Sequence, residues 1–312
     1  MAKQRRGRPV NGILVLDKPA GVSSNHALQT AKRLYFAQKA GHTGSLDPLA
    51  TGVLPVCFGE ATKFSQFLLD SDKAYRSTFK LGVITASGDA DGEVLEERDA
   101  SAVTRADVEA ALSRFRGDIE QLPSMYSALK HKGQPLYKLA RQGLEVEREP
   151  RPVTIHELVL EDFRDQSSTG SNPEVDVLVR CSKGTYVRSL AEDMGLALGC
   201  GAHVTVLRRI AAGPFEESQA VTLESLEVLK QSGDFEGMDA LLLPADTAVQ
   251  QLPVVSLAES AGYYMLQGQA VFVPQAPTEG IVRMYSDVGV FLGIGEILDD
   301  GRVGPKRLIA SS

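Results

Sequence analysis

The segment GHTGSLDPLATG, residues 41–52, sets one carboxylate, Asp47, among three glycines and one proline. An Asp that precedes a Pro is pushed toward extended backbone. Flanking glycines let another backbone or a ligand approach closely. A carboxylate displayed in this way can act as a nucleophile or a general base. Asp-Pro also starts ordinary turns, so the motif needs partners to be read as chemistry. The segment KGTYVRSL, residues 183–190, offers one. A strand ends at the glycine, a helix begins near Tyr186, and Arg188 falls in its first turn. A cation there opposes the helix dipole and calls for a carboxylate or phosphate. Arg188 can therefore hold a distant carboxylate ionised, or it can be a surface arginine. In DKAYRSTF, residues 72–79, Tyr75, Ser77 and Phe79 share one strand face and Arg76 points away. Tyr75 can lie over a planar substrate or fill a core edge.

Other motifs narrow the chemistry by failing. SMYSALK, residues 124–130, contains SxxK, but the SDN and KTG partners of penicillin-recognising enzymes are missing. Basic residues interleaved with Tyr126 and Tyr137 fit an RNA-facing segment better, because aromatic rings stack on bases. There is no GxGxxG, GxxxxGK[ST], HExxH or GxSxG. An enzyme of this sequence is expected to use no cofactor and no metal. Its chemistry is then isomerisation, hydrolysis or group transfer. Hydrolysis of a glycosidic bond usually wants two flanking carboxylates, and only Asp47 has a persuasive context.

The elements that must position these residues follow from periodicity and punctuation. Asn11 to Leu16 reads as a short buried strand, and Ser23 or Ser24 can cap a helix with Ala27, Leu28, Ala31, Leu34 and Tyr35 at helical spacing. Residues 40–52 read as a loop, Val53 to Phe58 as a strand, Glu60 to Leu69 as helical and Lys73 to Val83 as a long strand. Thr104 opens a helix with a weak capping box at Asp107. Pro135 and Gly143 bracket a short helix. Strands cover 151–163, 174–181 and 203–210, with a helix from Tyr186 to Leu198 between the last two. Strands and helices mix without a regular βαβ beat. The expected class is α+β, a mixed, largely antiparallel sheet flanked by helices. Three units are expected: a flexible basic arm over residues 1–9, a catalytic domain over 10–247 and a small all-β domain over 248–312, with Pro244 and Pro253 bracketing a linker. Residues 85–100 and the polar loop 165–173 receive no function.

The chain has 312 residues, 43% of them hydrophobic and 23% charged, the balance of a globular protein. Its apolar runs are too short for a signal peptide or a membrane span. Three cysteines without CxxC spacing fit a reducing compartment and argue against a zinc site, so the cytoplasm is expected. The net charge of −7 speaks against a nucleic-acid partner, but the distribution speaks for one. Residues 1–46 carry +7, residues 125–143 carry +4 and residues 180–209 carry +3, which leaves −21 on the remainder. Segregated basic segments on an acidic body can present a positive face to phosphates, or remain ordinary solvated surface.

The ordered segments NGILVLDKPAGVSS, AGHTGSLDPLATGVLPVCFGEATK, KAYRSTFKLG, PSMYSALKHKGQPLYKLARQG, CSKGTYVRSLAEDMG and GAHVTVLRR closely resemble the TruB family of tRNA pseudouridine synthases. The resemblance is strong over residues 11 to 212, and the C-terminal part is similar, more loosely, to that family's small PUA-like domain. It implies the pseudouridine synthase fold and isomerisation of uridine 55 in the T loop of tRNA, without cofactor. Asp47 matches the family's nucleophile, and whether it attacks C6 of uracil or C1′ of ribose stays open. Arg188 matches the arginine that pairs with it. Tyr75 matches the tyrosine that stacks on uracil and is placed to help remove the C5 proton. Tyr186 and Leu207 match residues lining the uracil pocket, and His42 matches the histidine that packs into the stack vacated by the flipped base. Lys18, Lys63 and Lys130 are the candidates for RNA backbone contacts. The rival expectation is a non-catalytic protein that binds or folds tRNA on the same scaffold.

Overall fold

The computed structural model describes residues 7–310. A sheet runs through the larger part of the chain, in the order Val221–Thr222, Gly12–Lys18, Thr51–Phe58, Ala202–Ala212, Lys73–Leu81, Glu174–Cys181, Arg151–Arg164 and Gly117–Gln121. All but two of these neighbouring pairs are antiparallel; Thr51–Phe58 with Ala202–Ala212 and Gly12–Lys18 with Val221–Thr222 run parallel. Apolar runs such as Ile13 to Leu16 and Val53 to Phe58 are buried from end to end because helices cover both faces. Leu190 and Met194 of the Val187–Leu198 helix and Val108 and Leu112 of the Arg105–Leu112 helix pack on Phe79 and Val177. Ala27, Leu28 and Ala31 of the Ser24–Leu34 helix pack on Leu14, Leu16, Val56 and Phe58.

A separate sheet of four strands, Val254–Leu257, Ile281–Ser286, Phe291–Ile297 and Val303–Leu308, encloses its own small core around Met265, Val282, Met284 and Val303. It docks on the first unit through Ile294 and Phe291, the latter 5.4 Å from Phe64 between ring centroids. Tyr285 also donates to Asp246 at 2.6 Å. No helix among the described residues is long and apolar enough to cross a membrane.

Several local expectations are corrected. Ala40–His42 is a strand paired with Val56 to Phe58, so the loop begins at Thr43. Residues 7–9, expected to belong to a flexible arm, are packed: Arg8 bridges to Ala37, stacks over Phe235 and pairs with Asp239. The rest of that arm lies outside the described residues. The expected linker holds a 3-10 turn, Ala245–Val249, whose Ala248 and Val249 are buried against Phe64 and Phe215. The Glu259–Leu266 helix was not foreseen in the unit expected to be all-β. The capping box at Thr104 is complete, with both reciprocal bonds to Asp107 formed.

Candidate active site

The loop carrying Asp47 is fixed at several points by side chains from outside it. Ser24 Oγ accepts from Leu46 N at 2.7 Å and donates to Leu46 O at 3.0 Å. Gly21 N donates to Pro48 O at 2.8 Å. Lys18 donates from Nζ to the carbonyls of Pro19 at 2.8 Å, Val22 at 2.7 Å and Pro48 at 3.4 Å. At the far end the chain turns into its strand through Gly52, at φ +98°, where a Cβ would sit 2.2 Å from the Arg209 carbonyl oxygen. Only glycine lets the two strands close there.

Arg188 meets this loop from the first turn of the Val187–Leu198 helix. Its guanidinium is 3% exposed. Nε stands 2.9 Å from Asp47 Oδ2 and 3.6 Å from Asp89 Oδ2. Nη1 donates to Ser87 O at 2.7 Å and Nη2 to Tyr126 O at 3.0 Å. The unfavourable placement of a cation at a helix N-terminus is thus offset by two carboxylates and two carbonyls. Gln121 steadies the entry to that helix, accepting from Tyr186 N at 2.7 Å and donating to Tyr186 O at 3.0 Å.

Asp47, Arg188, Tyr75, Tyr186 and Leu207 converge on one cavity of about 280 Å³. That is the low end of ligand pockets, room for one base and its sugar rather than for a large cofactor. Tyr75 is the third residue of the Lys73–Leu81 strand, and burial holds its phenol above the usual range, hence neutral. Burial pushes the Asp47 carboxyl above the usual carboxylate range; Arg188 is the main opposing influence, and Asp89 adds to the rise. Arg188 thus favours the ionised form of Asp47, as the pairing predicts, against the penalty that burial imposes.

The other expected residues divide. His42 lies half-buried on its short strand, away from the cavity lining, with Nδ1 unpartnered and its pKa lowered by burial. Lys130 is exposed on a small hairpin, free to meet a phosphate. Lys18 is not: it is fully buried, its Nζ donates to three carbonyls, and burial pulls it down to about 8. Lys63 bonds Glu60 at 2.5 Å and the Leu308 carbonyl at 2.8 Å, tying the two units together.

Three contributors escaped the sequence reading. Asp89 and Ser87 lie in the stretch given no function. Asp89 accepts from Ser87 Oγ at 2.5 Å and from Asp91 N at 3.2 Å, so its turn is pinned before it meets Arg188. The signal was the run Gly88-Asp89-Ala90-Asp91-Gly92, an Asp-led turn between glycines like the Asp47 loop. Arg209, two residues after Leu207 in sequence and 1% exposed, donates to Val53 O at 2.6 Å and Gly44 O at 3.1 Å.

Comparison with known proteins places the chain in a family. Residues 32–187 match the N-terminal domain of the TruB family of pseudouridylate synthases; residues 188–250 and 253–309 match models of its C-terminal regions. The chain is 57% identical to tRNA pseudouridine synthase B of Pseudomonas aeruginosa (strain UCBPP-PA14) over 100% of both chains. It is 56% identical to the Coxiella burnetii (strain Dugway 5J108-111) protein of that name, over 97% of this chain and 96% of the relative. Among solved structures, an H/ACA ribonucleoprotein bound to a substrate RNA containing 2′-deoxyuridine shares the fold at TM-score 0.71 and 23% identity, covering 100% of this chain and 92% of that one. An archaeal Nop10–Cbf5 complex does so at TM-score 0.70 and 23% identity, covering 99% and 92%. The chain belongs to the TruB family and is a tRNA pseudouridine synthase.

Proposed function

We propose that this enzyme converts uridine 55 in the T loop of tRNA to pseudouridine, with Asp47 as nucleophile and the target base flipped out of its stack. The observation that carries the reading is the 2.9 Å pair between Asp47 and Arg188, set in one small cavity with Tyr75. The reaction breaks the N1–C1′ bond, turns the uracil and forms a C5–C1′ bond. N1 ends with the proton that C5 loses, so atoms and oxidation state are conserved and no cofactor is called for. Arg188 aims one Asp47 oxygen by bonding the other. Tyr75 and Leu207 face the uracil from the sheet, and Tyr186 closes the side of the helix. Tyr75, neutral and half-buried, stacks on the ring and stands where the C5 proton must leave.

Extruding a stacked base costs a few kcal/mol. Contacts from the basic segments to the RNA backbone offset this, with exposed Lys130 among them, and half-buried His42 fills the space the base leaves. A neutral imidazole suits that apolar task, and burial lowers its pKa accordingly. The test is mass-spectrometric mapping of pseudouridine in unmodified tRNA incubated with the enzyme. Pseudouridine at position 55, lost in Asp47→Asn while tRNA binding remains, is the expected result. Modification at another position overturns the T-loop assignment. Undiminished turnover by Asp47→Asn removes the nucleophile.

A further inference from the structure

Arg209 is among the largest fully buried side chains of the protein. Among the described residues, Arg188 has Asp47 and Asp89 as ionic partners, and Arg208 has Asp17 at 2.9 Å and Glu217 at 3.2 Å; Arg209 has none. A buried charge without a counter-ion is costly, and proteins tolerate it where a ligand supplies the opposite charge. The surroundings sharpen the anomaly. Lys73, 8% exposed and lining the same cavity, places a second cation beside Arg209, its Nζ held by the Leu69 carbonyl at 2.9 Å. Buried Lys18 adds a third. Asp47 and Asp89, the carboxylates of this region, are already engaged by Arg188.

The position of the guanidinium says what it faces. Arg209 pairs across the sheet with Tyr75 and follows Leu207 at the i+2 position, so all three present to one face. Arg209 and Tyr75 both line the cavity. Tyr75 and Leu207 are the residues that face the uracil in the function proposed above, on which this inference rests. Arg209 therefore faces the base and not the RNA backbone.

We propose that Arg209 is a further catalytic residue, whose guanidinium holds the negative charge that the uracil carries during the reaction. If Asp47 attacks C1′, the N1–C1′ electron pair leaves with the base, and the charge spreads over N1 and the two carbonyl oxygens. C5 then bonds to C1′ and releases the Asp47 carboxylate. C5 loses its proton to a base and N1 gains one, so charge and atoms balance. If Asp47 attacks C6 instead, the same ring becomes an enolate before the bond breaks. Either route puts an anion beside Arg209. The bonds to Val53 and Gly44 hold the guanidinium in place before the charge appears, the condition under which such a donor is most effective.

The test is single-turnover kinetics of Arg209→Gln and Arg209→Lys on tRNA carrying uridine or 5-fluorouridine at the target position. Bond scission is read as disappearance of the N-glycosidic nucleoside. Fluorine makes the detached base a more stable anion, so it needs the guanidinium less. Arg209→Gln is expected to lose about 100-fold on uridine, the usual effect of removing such a donor. The loss should be several-fold smaller on 5-fluorouridine, tRNA affinity should hold, and Arg209→Lys should recover part of the rate. A positioning role alone gives equal losses on both substrates, which overturns the proposal. So does a loss confined to tRNA affinity, which marks a phosphate contact. If Arg209→Gln does not fold, the same comparison in Arg209→Lys decides. Wild-type enzyme leaving uridine 55 unmodified overturns the T-loop reading instead, and is thereby distinguished.

Discussion

Replacing Asp89 with Asn separates two effects of one carboxylate. Asp89 Oδ2 lies 3.6 Å from Arg188 Nε, and the two side chains are 7% and 4% exposed. At that distance two unit charges attract by about 5 kcal/mol at an effective dielectric of 20. Desolvation of both ions cancels much of this, which leaves an expected loss of about 1–3 kcal/mol in urea unfolding. The new amide keeps an oxygen for Ser87 and Asp91 but turns an NH2 group toward the guanidinium. Arg188 then keeps Asp47 and two carbonyls and loses the second carboxylate that faces Nε. Misplacement by about 1 Å near the reacting atoms costs about 100-fold, so a fall of about 10- to 100-fold in single-turnover rate is expected. The pH profile moves independently of this. Asp89 raises the Asp47 pKa as a like charge, against Arg188 and Lys18, which lower it. Glu192, one turn beyond Arg188, is also influenced by the guanidinium and stays in place. Removing the Asp89 charge lowers the Asp47 pKa, so more Asp47 is ionised at a given acid pH and the acid limb shifts to lower pH. The assay is pseudouridine formation by wild type and Asp89→Asn across that limb. An acid limb displaced to higher pH, or an unchanged rate, refutes the network as drawn.

Other substitutions test the remaining supports. Burial raises the Asp47 pKa, so the stability tied to that group is present at low pH and lost as pH rises through the folded value. Above that value the ionised carboxylate is a cost, and Asp47→Asn should abolish turnover with the thermal midpoint unchanged or raised; a fall of more than about 3 °C counts against the burial argument. Lys18→Met leaves the Pro19 and Val22 carbonyls without their donor and should cost about 2–4 kcal/mol in unfolding, together with activity. The slope of tRNA affinity against salt should not change in Lys18→Met, since Lys18 is fully buried with its amine on three carbonyls, whereas Lys130→Ala should reduce that slope by about one. Equal slopes for both variants contradict the division between them.

What the sequence made legible follows from how far each signal had to reach. Asp47 and its loop announce themselves because glycine spacing, a proline and a single acid fall within 12 residues. The helix carrying Arg188 is legible from its glycine stop and apolar stripe, and the unfavourable charge in its first turn already demanded a partner. Asp89 and Ser87 were not legible. They sit about 100 residues before Arg188, and their use depends on a turn whose bridge to Val204 is a tertiary contact. Lys18 misled for the converse reason. A lysine after a strand and before a proline looks solvated, and no local pattern records that three carbonyls from two separate loops surround its amine.

Arg208 and Arg209 show the limit most clearly. They are adjacent and identical in type, and alternation along a strand sends them to opposite faces. One meets two carboxylates near the surface; the other is buried at the cavity wall with carbonyls alone. Sequence gives both a charge of +1 in a basic window, which is why that window suggested an RNA face. The fold withdraws Arg209, Lys18 and Arg188 from any such face. The positive charge counted along the chain therefore divides, part of it exposed as on Lys130 and part of it buried around one small cavity. Such a concentration makes sense for a reaction whose substrate enters nearly neutral at the base and becomes an anion only when its bond to the sugar yields.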